Sequence, residues 1–172
     1  MTASAIIFAL LGFAAWRDVA TRTIPDSISI AIIGVGVVAR MLDGWQSLGI
    51  SLFVAAIVFV CLIPLQARGL LGGADLKLLT ALAVGLSPAG TYHLIVAVML
   101  LGAALAAVYM ALRVLVIHFG PAPGPVSHFR DRGTAFRVAA IETWRIRKGA
   151  PLPYGIAIAA GAVFVGLGHP GV

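Results

Sequence analysis

The sequence predicts an all-α, polytopic integral membrane protein of about six transmembrane helices. Three observations carry this. Of its 172 residues, 61% are hydrophobic and only 10% are charged, against about 25% charged in a soluble domain. The mean hydropathy is +1.07. The apolar runs are separated by short polar joints, and the length suits about six spans of roughly 20 residues. Too little polar surface exists to cover a water-facing body, so residues 1–172 read as a single transmembrane domain with one long loop at about 119–150.

The first apolar run is Ala3 to Trp16, short for a span and open to extension by the residues that follow. It lacks a basic leading region, so it reads as a first span and not as a cleaved signal. The polar segment Arg17 to Asp26 comes next. Pro25 turns Ile24 away from helix, and Asp26 or Ser27 is placed to cap the second span, Ser27 to Leu42. Gly34 and Gly36 give that span a thin face. Arg40 is expected to snorkel outward, with Asp43 and Trp45 at the far interface. The third span, Ser47 to Leu65, carries Pro64 near its end and the lone Cys61, read as a small packing residue.

The fourth span runs from about Asp75 to Ser87-Pro88. It is only about a dozen residues long, and a span that short beside glycines suits burial within protein more than contact with lipid. The fifth opens at Gly90-Thr91 and continues to about Ile117, with Ala103, Ala107 and Ala111 forming a small-residue seam. In the long loop, Phe136, Ala140, Ile141 and Trp144 share one helical face and Arg137, Glu142, Arg145 and Arg147 largely another. That pattern fits an interfacial helix on an anionic lipid surface or a solvated basic loop. The last span follows Pro153-Tyr154-Gly155 and ends near Leu167, with Gly155, Ala159 and Gly161 suited to close packing.

The net charge of +6 is explained by orientation more simply than by a nucleic-acid partner. With six spans, the loops after spans one, three and five hold eleven basic residues, counting Arg113 with its nearer end, and Arg40 alone lies on the other side. Basic loops stay cytoplasmic, so both termini are expected outside. The same face then receives Asp18, Asp26 and Asp75.

Gly72-Gly73-Ala74-Asp75-Leu76-Lys77 concentrates the chemistry. It sets a carboxylate and an ammonium at the mouth of an apolar segment, where charge is costly and usually functional. Asp43 lies on the opposite side, and Asp131 and Glu142 sit among loop arginines. That leaves Asp75 with Asp18 or Asp26 as a pair. Two adjacent carboxylates share a proton. Such a pair can polarise a water against a peptide carbonyl and protonate the leaving amine. The rival reading pairs Asp18 with Arg17 or Arg22, and Asp75 with Lys77.

Asp18 with Ile24-Pro25-Asp26, then Gly72-Gly73-Ala74-Asp75-Leu76-Lys77-Leu78-Leu79, resembles the two catalytic motifs of the prepilin peptidases, membrane aspartic proteases of the GxGD type. The run Pro153 to Ala162 is similar to that family's closing span. The resemblance implies catalytic roles for Asp18 and Asp75. Asp26, Gly72, Gly73, Ala74 and Lys77 support them or line the substrate site, and Lys77 falls at a recurrent basic position of the second motif. Ala74 departs from the second glycine of GxGD. Larger members carry a cysteine-paired cytoplasmic region with N-methyltransferase activity. One cysteine and a short chain resemble the Flp-type, tight-adherence branch, which implies peptidase activity without methylation. The implied partners are prepilins or pseudopilins, cleaved at the cytoplasmic face of the bacterial inner membrane, together with membrane lipid. No cofactor is implied.

Two other classes compete. A proton- or cation-coupled transporter would need acids deeper in the spans. A non-catalytic pilus or secretion assembly subunit would leave two aspartates at one face unexplained. His93, His118, His128 and His169 have no spacing that suits a shared metal site.

Overall fold

The computed structural model describes residues 2–21, 25–119, 152 and 154–168. These form six helices: α1 (Thr2–Thr21), α2 (Asp26–Leu42), α3 (Trp45–Ala67), α4 (Gly73–Gly85), α5 (Pro88–Phe119) and α6 (Tyr154–Gly168). No strand occurs among the described residues. Three helices are long and apolar enough to cross a membrane, over Ser4–Thr21, Trp45–Ala67 and Pro88–His118. The exposed faces carry large apolar side chains, including Ile30, Phe53, Val60, Met99 and Phe164. The composition and these faces belong to a membrane-embedded protein, whose lipid-facing surface needs no polar cover.

Helix boundaries follow local chemistry, and several differ from those expected. α1 does not stop at Trp16 but runs on through Arg17 and Asp18, with the Thr21 hydroxyl donating to the Arg17 carbonyl at 2.9 Å. No breaker precedes Pro25, so two charged residues in succession do not end the helix. Pro25 is itself the N-cap of α2, and no side chain caps that helix. Asp26 therefore does not cap; it occupies the first turn. α3 continues past Pro64 to Ala67. A proline near the end of a helix removes one hydrogen bond without stopping the last turn. The stop is Gly69, at φ 71°. Its N–H reaches the Gln66 carbonyl, while the Leu70 N–H reaches back to Leu65, a left-handed glycine closure. α5 begins with Pro88 in its first turn and Ser87 before it, whose hydroxyl accepts the Gly90 N–H at 3.1 Å. Serine followed by proline is a strong start signal.

The chain divides into two compact units, one of Met1–Gly102 with Pro153–Val172 and one of Ala103–Leu152. In the first, α4 is the centre. At 13 residues it is about 20 Å long, short for a lipid-facing span across a core of about 30 Å. It packs instead on α2, α3 and α6, and Leu78, Ala81 and Ala83 are completely buried. One continuous core joins Leu11 and Ala14 of α1, Ile28 and Ile32 of α2 and Leu78, Leu79 and Leu82 of α4. It extends to Leu94 and Val98 of α5 and Ile158 and Val165 of α6.

Glycine sets the α2–α4 distance. A Cβ on Gly36 would lie 2.8 Å from the Cα of Gly85. The backbones touch there, whereas Gly34 faces open space. Nearby, Arg40 does not snorkel outward. Its guanidinium is largely buried and bonds Ser51 at 3.0 Å and Asp43 at 2.9 Å, while Ser51 donates to the Leu86 carbonyl at 2.8 Å. This polar network closes the end of the unit where α2 and α4 finish.

In the second unit the described residues are the latter part of α5 and Leu152. Ala103, Ala107 and Ala111 are exposed, so the expected packing seam is an open face. Cys61, on α3 of the first unit, is also exposed and not a core residue. The helical pattern expected over Phe136–Arg147 lies outside the described residues.

Candidate active site

The ends of α1 and α3 and the starts of α2, α4 and α6 lie at the other end of the first unit. Asp18 lies in the last turn of α1, on the face that carries Leu11 and Ala14. The spacing of three and seven residues aligns them, and the core they enter draws Asp18 inward until only 8% of it is exposed. A buried carboxylate needs hydrogen-bond donors. Here the donor is the backbone N–H of Gly155, in the first turn of α6, at 2.9 Å from Oδ2.

Asp26 opens α2 at the surface and does not touch that bond. Both its oxygens take the Lys77 ammonium, at 2.8 and 2.9 Å. Lys77 therefore joins α4 to α2 and is not the counter-ion of Asp75, as the ion-pair reading had it. The Lys77 side chain is about half exposed and that of Asp26 about two-thirds.

Asp75 sits in the first turn of α4, part-buried, on the same face as Leu78, Leu79 and Leu82. An acid in a first turn is favoured by the unpaired N–H groups and the helix dipole. Gly72 is the N-cap, at φ −67° and ψ 143°. That conformation is open to any residue, so the reason for glycine is space. A Cβ there would be 2.7 Å from Asp75 Oδ2. Gly73 faces only Gln66 Nε2, at 3.9 Å. Ala74 packs against the shared core, which makes a methyl there a fitting replacement for the expected glycine.

These contacts place the end of α1 beside the start of α6, and the start of α2 beside the start of α4. Residues 22–25 join α1 to α2, and α4 also touches α6. Asp18, Asp26, Asp75 and Lys77 thus share one end of the unit, while Asp43 pairs with Arg40 at the other. The two aspartates project from helix faces that converge on one core, and a catalytic pair of carboxylates needs that convergence. The profile of the type IV leader peptidase family matches residues 5–107, more than half of the chain, and takes in Asp18, Asp26 and the whole of Gly72–Lys77. This chain belongs to the type IV leader peptidase family. No curated protein and no solved structure matches it.

As a leader peptidase relative, the chain carries a protease fold, and prepilin-type proteins are the substrates that the family implies. Among the described residues, the Gly155 amide touches Asp18 without having been singled out for chemistry by the sequence. Its glycine was legible, but as a packing residue, and α6 lies beyond the matched residues.

Proposed function

We propose that this peptidase is an aspartic endopeptidase that removes the leader from type IV prepilins of the Flp-like class, with Asp18 and Asp75 acting as a pair on one water. The observation that carries the reading is the common placement of the two aspartates. Both lie at one end of one helical unit, on faces lined by a shared core, in a segment matched by the leader peptidase family. One carboxyl is charged and takes a proton from water as its oxygen attacks the scissile carbonyl. The protonated partner stabilises the tetrahedral oxygen, and a proton then passes to the amide nitrogen as the C–N bond breaks. No nucleophilic serine or cysteine is required.

The reaction belongs at the cytoplasmic face of the bacterial inner membrane in this reading. The eleven basic residues in the alternate loops and in the helix segments that flank them support that orientation, with both termini outside. Asp26, Gly72, Gly73, Ala74 and Lys77 support the pair from α2 and from the start of α4. The test is co-expression with a Flp-type prepilin and mass analysis of the pilin N-terminus. Leader removal by the wild type and an intact precursor with Asp18→Asn or Asp75→Asn is the expected result. Equal processing by either variant would return the transporter and assembly-subunit readings.

A further inference from the structure

We propose that Gly155 is the positioning residue of Asp18, and that α6 serves the reaction by presenting one backbone N–H to that carboxylate. The inference rests on the reading of Asp18 as a catalytic group. Two independent features of residue 155 support it. The first is the donor: its N–H points at Asp18 Oδ2 from 2.9 Å, in a buried bond. The N–H groups of a first helical turn have no partner in their own helix, so this bond costs α6 nothing internally. It also fixes which carboxylate oxygen is engaged. Oδ2 is the acceptor, and among the described residues no other hydrogen bond to Asp18 is made.

The second feature is the missing side chain. A Cβ at 155 would lie 2.9 Å from Asp18 Oδ2, 3.0 Å from its Cβ and 3.2 Å from its Cγ. Contacts this short to three atoms of one side chain cannot be relieved by moving its tip alone. Asp18 as a whole would have to shift, by some tenths of an ångström at least. Glycine at this site is therefore explained by the approach of Asp18, not by backbone conformation.

The start of α6 is itself held in place. Tyr154 packs on the shared core, and its hydroxyl and ring lie against Gly102 of α5, where a Cβ would meet the oxygen at 2.6 Å. A tyrosine seated against one glycine thus sets the height of the next residue's N–H. The arrangement runs from Gly102 through Tyr154 and Gly155 to Asp18. Each contact depends on the absence or presence of a single side chain.

The experiment uses the full chain, purified in lipid, as wild type, Gly155→Ala, Asp18→Ala and the double variant. Alanine is the better helix former, so any loss from Gly155→Ala comes from the new contact. The expected result is a kcat on prepilin lowered by ~100-fold with KM within about twofold, the scale of a displaced catalytic group. The melting temperature should fall with Gly155→Ala in the wild-type background and fall less in the Asp18→Ala background, where the contacts to Oδ2 and Cγ are gone and only that to the residue-18 Cβ remains. Labelling of Asp18 by a hydrophobic carbodiimide, read by peptide mass, should change several-fold, with that of Asp75 unchanged. An equal fall in melting temperature in both backgrounds overturns the inference, as does unaltered Asp18 labelling or normal cleavage by Gly155→Ala. Normal cleavage by Asp18→Asn would end the aspartic reading and the catalytic part of this inference with it. The melting cycle still scores the contact in that case.

Discussion

Lys77 grips both carboxylate oxygens of Asp26, at 2.8 and 2.9 Å, across 51 residues of sequence. The bond fastens the start of α2 to the start of α4 two residues beyond Asp75. Because the Lys77 side chain is about half exposed and that of Asp26 about two-thirds, the pair contributes about 0.5 kcal/mol. Its value is in holding register. Asp26→Asn should reduce prepilin cleavage without abolishing it, since the amide still offers Lys77 an oxygen. Lys77→Asp should reduce it further, and Asp26→Lys with Lys77→Asp should restore part of the loss. Initial cleavage rates of the four chains check this, and no recovery in the swapped pair would count against a register role.

Asp18→Asn and Asp75→Asn should each remove nearly all cleavage while leaving insertion intact, because groups that act as a unit are not additive in their loss. Asp43→Asn is the matched control. Its carboxylate serves Arg40 at the far end of the unit, and cleavage should persist. Precursor and product quantified by mass spectrometry, with expression checked, decide the point.

Gly72 and Gly73 should part company. Gly72→Ala places a methyl 2.7 Å from Asp75 Oδ2 and should lower kcat by ~100-fold. Gly73→Ala meets only Gln66 Nε2, at 3.9 Å, and should cleave almost normally. Equal loss in both variants would mean that the motif needs glycine for its backbone and not for the space beside the acid.

Gly36→Ala should destabilise the protein by about 1–3 kcal/mol, the usual cost of overpacking, because its methyl would press on the Gly85 backbone from 2.8 Å. Gly34→Ala, facing open space, should be neutral or slightly stabilising, as alanine favours helix. Thermal melts in lipid compare the two directly.

Orientation is testable with single cysteines at Ser4 and Ser127 in a chain whose Cys61 has been replaced. Ser4 should react with an impermeant reagent from outside intact cells, and Ser127 only after the cytoplasm is opened. Reaction of Ser127 from outside would reverse the proposed topology.

The sequence carried the helices well because apolar runs and the Ser87-Pro88 start are local signals. It carried Asp18 and Asp75 as candidates because charge at the edge of an apolar run is rare. Local signals also misled. Arg17-Asp18 looks like a loop, yet nothing there breaks a helix until Pro25. Gly34 and Gly36 look equivalent, and only packing against Gly85 separates them. Ala103, Ala107 and Ala111 have the spacing of a seam and remain exposed. Arg40 reads as a snorkelling cation until Ser51 and Asp43 are seen beside it. The Asp26–Lys77 and Asp18–Gly155 contacts join distant parts of the chain, and no pattern within one helix reveals a partner on another.

The carboxylate of Asp18 is completed by an amide 137 residues further along the chain. Synthesis delivers the two far apart in time. Until α6 is made, Asp18 has no Gly155 to seat it, and in the proposed reading the nascent protein holds that acid unaligned. In that reading cutting ability arrives with α6, so a ribosome paused before it leaves behind a harmless bundle.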